Sequence, residues 1–240
     1  MITLNSVSKE IGRGRFYWRP IDKLTWTIKP RARIVILGQR IAVAHLLNII
    51  AGLTLPTEGW VERRATTSVP NGFLPYGQAG TGRQLIHKLC PLFNVDERTV
   101  AEFIERLLGN RRVLDTPIRR LPLSVRQELN IALTYAIPCD FYLFFGGIGR
   151  GHRPAFQALC QEAFTLRCKT AGAIIGTNLT RTVSSLSDIS AGAILYKGRL
   201  TLYKRLDDAV AVYDSLPPEE DSPKPYTESA DPEDEDIGAL

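Results

Sequence analysis

Apolar and polar positions along the chain change period several times, and each change predicts an element. "MITLNSV" and "KLTWTI" alternate as half-buried strands do. The turn "KPRAR" leads into "IVILG", a continuous apolar run of the kind that a parallel strand covered on both faces requires. A helix is expected from about Ala44, with Leu46, Leu47, Ile50 and Ala51 at helical spacing and Gly52 as its stop. Further on, Asp96 is placed to cap a helix whose apolar stripe is Val100, Phe103, Ile104, Leu107 and Leu108, ending at Gly109. In "SVRQELNIALTYAI" Ser124 and Gln127 have capping-box spacing, and Pro138 ends that helix. A buried strand, "FYLFFGG", is followed by the helix "RPAFQALCQEAFTLRCK", with Phe156, Leu159, Cys160 and Ala163 on one face. A second buried strand is "AGAIIGTN". "GAILYKGRLTLYKR" predicts a hairpin around Lys197 and Gly198, with a short helix from Asp207 or Asp208. Strands alternating with helices predict an α/β fold on a mostly parallel sheet.

Composition narrows this only slightly. The chain has 240 residues and 44% hydrophobic content, within the range of globular domains. Its four cysteines (Cys90, Cys139, Cys160, Cys168) and three histidines (His45, His87, His152) form no ligand-spaced group, so no structural metal is expected and a reducing compartment suits them. The N-terminus lacks the layout of a signal peptide, and the apolar stretch from Ile131 to Ile148 is interrupted by Pro138 and Asp140. A cytoplasmic protein is expected, with membrane contact only through a partner.

Charge is divided unevenly. From Leu216 onward the chain has nine acidic residues and one Lys, so a whole-chain charge of +5 leaves about +13 on the body. Proline, acidity and few apolar residues predict a disordered tail over 216–240. It solubilises, binds a basic partner or folds back on the body. The basic body suits acidic headgroups, nucleic acid or simple dispersed charge, but no zinc-finger, RRM or homeodomain pattern accompanies it, and a nucleic-acid partner is not expected.

Taken in order, the elements resemble the ATPase subunit of an ABC transporter, most closely the subfamily that exports capsular polysaccharide and O-antigen chains. The resemblance spans nearly all of Met1 to Ser215. It rests on "LLNIIAGLTLPTEGWVE", similar to the helix and turn after a Walker A loop; on "GTGRQL"; on "RQELNIALTYAIPCDFYLFF", placed like the post-signature helix and Walker B strand; and on "AILYKGRLTLYKRLDDAVAVYDSL". It implies an ABC-type P-loop NTPase fold over residues 1–215: a mostly parallel sheet core, an N-terminal antiparallel β subdomain and a helical subdomain over about 85–140. In intact members the cofactors are ATP and magnesium. The partners are a membrane permease and a second ATPase, as homo- or heterodimer, which would hold the chain at the inner face of the membrane.

The positions carrying the family's chemistry are occupied by other residues. Phosphate loops use glycines to wrap phosphates with backbone N–H groups, a Lys for charge and a Ser or Thr for magnesium. Aligned backward from the helix, Val43 takes the lysine position, Ala44 and His45 the hydroxyl positions, and Arg40 and Ala42 the glycines. Aligned forward from Gly38, Ala44 replaces the lysine and His45 the hydroxyl. Arg40 is the one substitute charge. In the Walker B strand, Phe145 and Gly146 stand where the family has Asp and Glu, and the neighbouring carboxylates, Asp140 and Glu162, fall on the wrong side of the strand or within the next helix. In the signature segment, Pro122, Leu123 and Ser124 replace Ser, Gly and Gly. His152 replaces the D-loop Asp, and Asn178 the switch His. Gln78 lies near the Q-loop, and Phe16, Tyr17 and Trp18 lie near the adenine-stacking aromatic or pack on the sheet.

Phosphoryl transfer depends on positioned charge and metal. The sequence therefore predicts a catalytically inactive scaffold or regulator of a polysaccharide exporter, with no catalytic or metal residues and no cofactor expected. The alternative is a divergent, active ATPase using other residues.

Overall fold

The computed structural model describes residues 1–12, 17–70, 72, 80–146, 153–182 and 189–219. The first strands are β1 (Ile2–Ile11) and β2 (Trp18–Ile28), paired antiparallel with Ile2 opposite Ile28. Their alternation puts Ile2, Leu4, Val7, Leu24, Trp26 and Ile28 on the buried face. β3 (Arg33–Gly38) then leads into α1 (Arg40–Ala51), and β4 (Glu58–Arg63) returns to the free edge of β1. α1 ends at Gly52, whose φ of 79° is the left-handed conformation a helix stop needs. Arg63 on β4 fastens that end, donating from Nε to Ile50 O (3.0 Å) and from Nη2 to Ile49 O.

The middle of the chain is helical: α2 (Gly82–Phe93), α3 (Glu97–Leu108), the short α4 (Arg112–Asp115) and α5 (Leu123–Ala136). Asp96 caps α3 as expected, accepting from Thr99 N–H at 2.7 Å, and Gly109 ends it. The capping box, however, is Thr81 with Gln84 at the start of α2, not Ser124 with Gln127. Pro122 sits at φ −53°, ψ 149°, and its carbonyl accepts from Arg126 N–H at 2.9 Å, so α5 begins at Leu123. Ser124 is thus inside the first turn rather than at the cap.

β5 (Phe141–Phe145), α6 (Pro154–Cys168), β6 (Gly172–Thr177), β7 (Ala191–Tyr196), β8 (Arg199–Tyr203) and α7 (Leu206–Ser215) complete the described fold. α7 begins just before the expected Asp207. The second sheet has the order β5-β6-β3-β7-β8, parallel except for β8, which joins β7 through a hairpin at Lys197 (φ 47°) and Gly198 (φ 77°). Alternate residues of β3 face opposite layers. Ile34 and Ile36 meet α1 and the antiparallel sheet, while Val35 and Leu37 meet the helical layer. Burial on both faces is why "IVILG" and "FYLFF" are continuously apolar.

Candidate functional site

The carboxyl ends of parallel strands are where open α/β sheets bind ligands, and β3 reaches that edge at Gly38. From there the chain passes into α1 through a single residue, Gln39, whose carbonyl already accepts from Val43 N–H at 3.0 Å. The helix therefore begins four residues before the expected Ala44, and the segment 40–43 expected as a loop is its first turn. Packing explains the early start. Ala42 and Val43 are buried at 3% and 0% exposure, and a Cβ added to Gly176 of β6 would stand 2.3 Å from Val43 Cγ1 and 2.8 Å from Leu47 Cδ1. α1 thus lies directly on a strand that has no side chain at that point.

This places the candidate loop positions individually. Val43 points into the core between β3 and β6. Ala44 and His45 are half-buried, with His45 Nδ1 enclosed and without a hydrogen-bond partner. Burial, and then the charge of Lys9, push the His45 imidazole below its ordinary range, so it is neutral at pH 7. Arg40 is exposed at the head of α1, which has no side-chain cap and no acidic residue in its first turn.

At the neighbouring strand ends, the Arg40 guanidinium lies 5.8 Å over the ring of Phe145, a cation–π contact at the last residue of β5. Gly146 follows at φ 85°, its N–H donating to Gly176 O at 2.8 Å. Asp140 stands at the amino end of β5, where Oδ2 accepts from Thr66 N (2.8 Å) and Thr66 Oγ1 (3.1 Å). Glu162 lies within α6. Among the described residues, no group of three or more His, Cys, Asp or Glu side chains is arranged to hold a metal ion.

Gln39, Arg40 and Asn178 line a crevice of about 470 Å³ with Tyr196, Tyr213, Asp214 and the segment from Leu216 to Glu219. Gln39 Oε1 is enclosed there without a hydrogen-bond partner. Burial, then the charges of Glu219 and Asp214, raise the Tyr213 phenol. Folding back on the body is one of the three readings of the segment from Leu216, and residues 216–219 lie against it here; the Pro217-Pro218 pair after α7 marks where the chain must leave the helix. Pro122, Leu123 and Ser124 do not line this crevice. Ser124 borders a separate cleft of about 390 Å³ with Leu108, Asn110 and Gln127, where buried Glu128 pairs with Arg153 at 3.0 and 2.6 Å. Trp18 packs against the apolar cluster behind the antiparallel sheet, while Tyr17 is 51% exposed. Phe16, Gln78, His152 and residues 220–240 of the acidic tail lie outside the described residues.

No protein-family model matches the sequence. The chain is 27% identical over 220 residues to the capsule polysaccharide export ATP-binding protein CtrD of Neisseria meningitidis, covering 90% of this chain and 100% of CtrD. It is 24% identical over 215 residues to the ATP-binding protein BexA of Haemophilus influenzae, covering 89% and 98%. A solved dimeric ATP-binding cassette, in a post-hydrolysis state with ADP and phosphate, superposes with a TM-score of 0.69 at 15% identity, over 86% of this chain and 99% of that one.

Proposed function

We propose that the chain, similar throughout its body to the capsule-polysaccharide export subunits of the ABC ATPase family and sharing the fold of an ATP-binding cassette, is a non-hydrolysing subunit, a scaffold or regulator at a polysaccharide exporter. The observation that carries the reading is the one-residue passage from β3 to α1. A loop wraps a phosphate by turning several backbone N–H groups inward around a Lys; here the chain is already helical, and the two candidate lysine positions are a core valine, Val43, and a half-buried alanine, Ala44.

The residues present do not fit a magnesium-bound triphosphate. At the strand ends none of Gly38, Gln39, Arg40, Phe145, Gly146 and Asn178 carries a carboxylate; the crevice's two carboxylates, Asp214 and Glu219, come from the C-terminal segment, where Glu219 accepts from Lys197 N–H, and Phe145, where a metal ligand would stand, holds the Arg40 guanidinium on its ring. Without metal or a phosphate clamp, the electrostatic stabilisation on which phosphoryl transfer depends is missing. In the family each site joins one subunit's Walker motifs to its partner's signature. With Pro122 at the signature serine position as well, pairing with an intact ATPase would complete neither site, which favours a structural role over a power stroke.

No helix among the described residues is long and apolar enough to cross a membrane. Attachment to the cytoplasmic face of the membrane then runs through a permease subunit, a related ATPase or both. Phosphate release from magnesium-ATP by the purified chain tests the reading. The expected rate equals the protein-free blank and is unchanged by Arg40→Ala. Turnover abolished by Arg40→Ala or His45→Ala would overturn it.

A further inference from the structure

Three walls of the crevice come from the carboxyl edge of the sheet: Gln39 and Arg40 follow β3, Asn178 follows β6, and Tyr196 ends β7. The fourth is the chain's own C-terminal segment, 213–219. α7 stops at Ser215, Leu216 N–H turns back to Tyr213 O at 3.1 Å, and the two prolines keep the following residues out of the helix. Two fastenings hold this strap across the sheet edge. Tyr196 Oη donates to Pro217 O at 3.2 Å, and the backbone N–H of Lys197 donates to Glu219 Oε1. Asp214 and Glu219 consequently border the same space as Arg40. The lining sets two carboxylates against one guanidinium, and like charges confined in a crevice disfavour a further anion.

We propose that residues 213–219 are an intramolecular gate, a strap whose carboxylates bar the crevice to polyphosphate anions and whose release opens Arg40 to them. The gate concerns access, whatever the turnover of the chain. Its fastenings are local to the hairpin at Lys197, so a partner that seizes the hairpin or the tail would release it.

The probe is inorganic tripolyphosphate, titrated calorimetrically at low ionic strength into the full chain and into full-length variants. The parent chain is expected to give no saturable heat. Asp214→Asn/Glu219→Gln, in which an amide oxygen still accepts from Lys197 N–H, should bind at least tenfold more tightly, and adding Arg40→Ala should abolish the gain. Tyr196→Phe keeps both carboxylates but frees Pro217, and should gain by a smaller factor. No gain in either strap variant overturns the gate, as does a gain that survives Arg40→Ala. The titrant has no nucleoside and the readout needs no hydrolysis, so an ATP-hydrolysing parent chain would sink the functional reading and leave the gate standing.

Discussion

Val43 shows how far one side chain constrains what this crevice can do. It is fully buried against glycine 176, on the first turn of α1, at one of the two places, with Ala44, where the resemblance would put a phosphate-binding lysine. Restoring the lysine should not restore a phosphate site. Val43→Lys puts an unpaired ammonium between β3 and β6, and urea unfolding should show a loss of about 3–5 kcal/mol. His45 bears on the same question. Its imidazole is held below the ordinary histidine range, so it takes up a proton more readily in the unfolded chain than in the folded one. That contribution to stability is present above the ordinary range and lost as pH falls through the folded value. Urea midpoints measured between pH 7 and pH 5 should therefore decline in the parent chain and decline less in His45→Gln.

At the scale of elements, α1 is held from three sides: by glycine 176 beneath it, by the left-handed Gly52 at its end, and by Arg63 reaching from β4 to its last carbonyls. Arg63→Ala leaves Ile49 O and Ile50 O without that charged donor, and chemical denaturation should show a loss of about 1–3 kcal/mol. Gly176→Ala tests the contact below. The added methyl cannot be placed without displacing the Val43 and Leu47 side chains of α1, and overpacking of this kind costs about 1–3 kcal/mol in the same measurement. The order and type of most elements were legible in the sequence because the pattern changed period where the structure does, but β4, α2 and α4 were not predicted. Boundaries were less legible. Local spacing in "SVRQEL" favoured a serine cap, but Pro122 fixes an extended residue immediately before the helix and starts α5 at Leu123. In "QRIAV" the resemblance to a phosphate-binding loop set the helix start at about Ala44, yet burying Val43 against a bare stretch of β6 makes residues 40–43 the first turn of α1.

For the whole molecule, the sequence pattern anticipated two layers against a central sheet, and alternation along β3 shows how both are served by one strand. Sequence also brought the ends of β3, β5 and β6 into one neighbourhood, because a parallel sheet must align them. It did not reveal which residues fasten the C-terminal strap over that neighbourhood, since Tyr196 and Lys197 are about twenty residues from Pro217 and Glu219 in the chain and meet them only through tertiary hydrogen bonds. The central claim is that this crevice no longer holds a magnesium-bound triphosphate. A thermal-unfolding titration of the full chain with magnesium-ATP tests it most directly, because a ligand bound only to the native state must raise its stability, by about 2.7 kcal/mol at one hundred times its dissociation constant. The account predicts a melting temperature unchanged up to millimolar nucleotide. A saturable rise of about 5–10 °C that disappears in Arg40→Ala would contradict it.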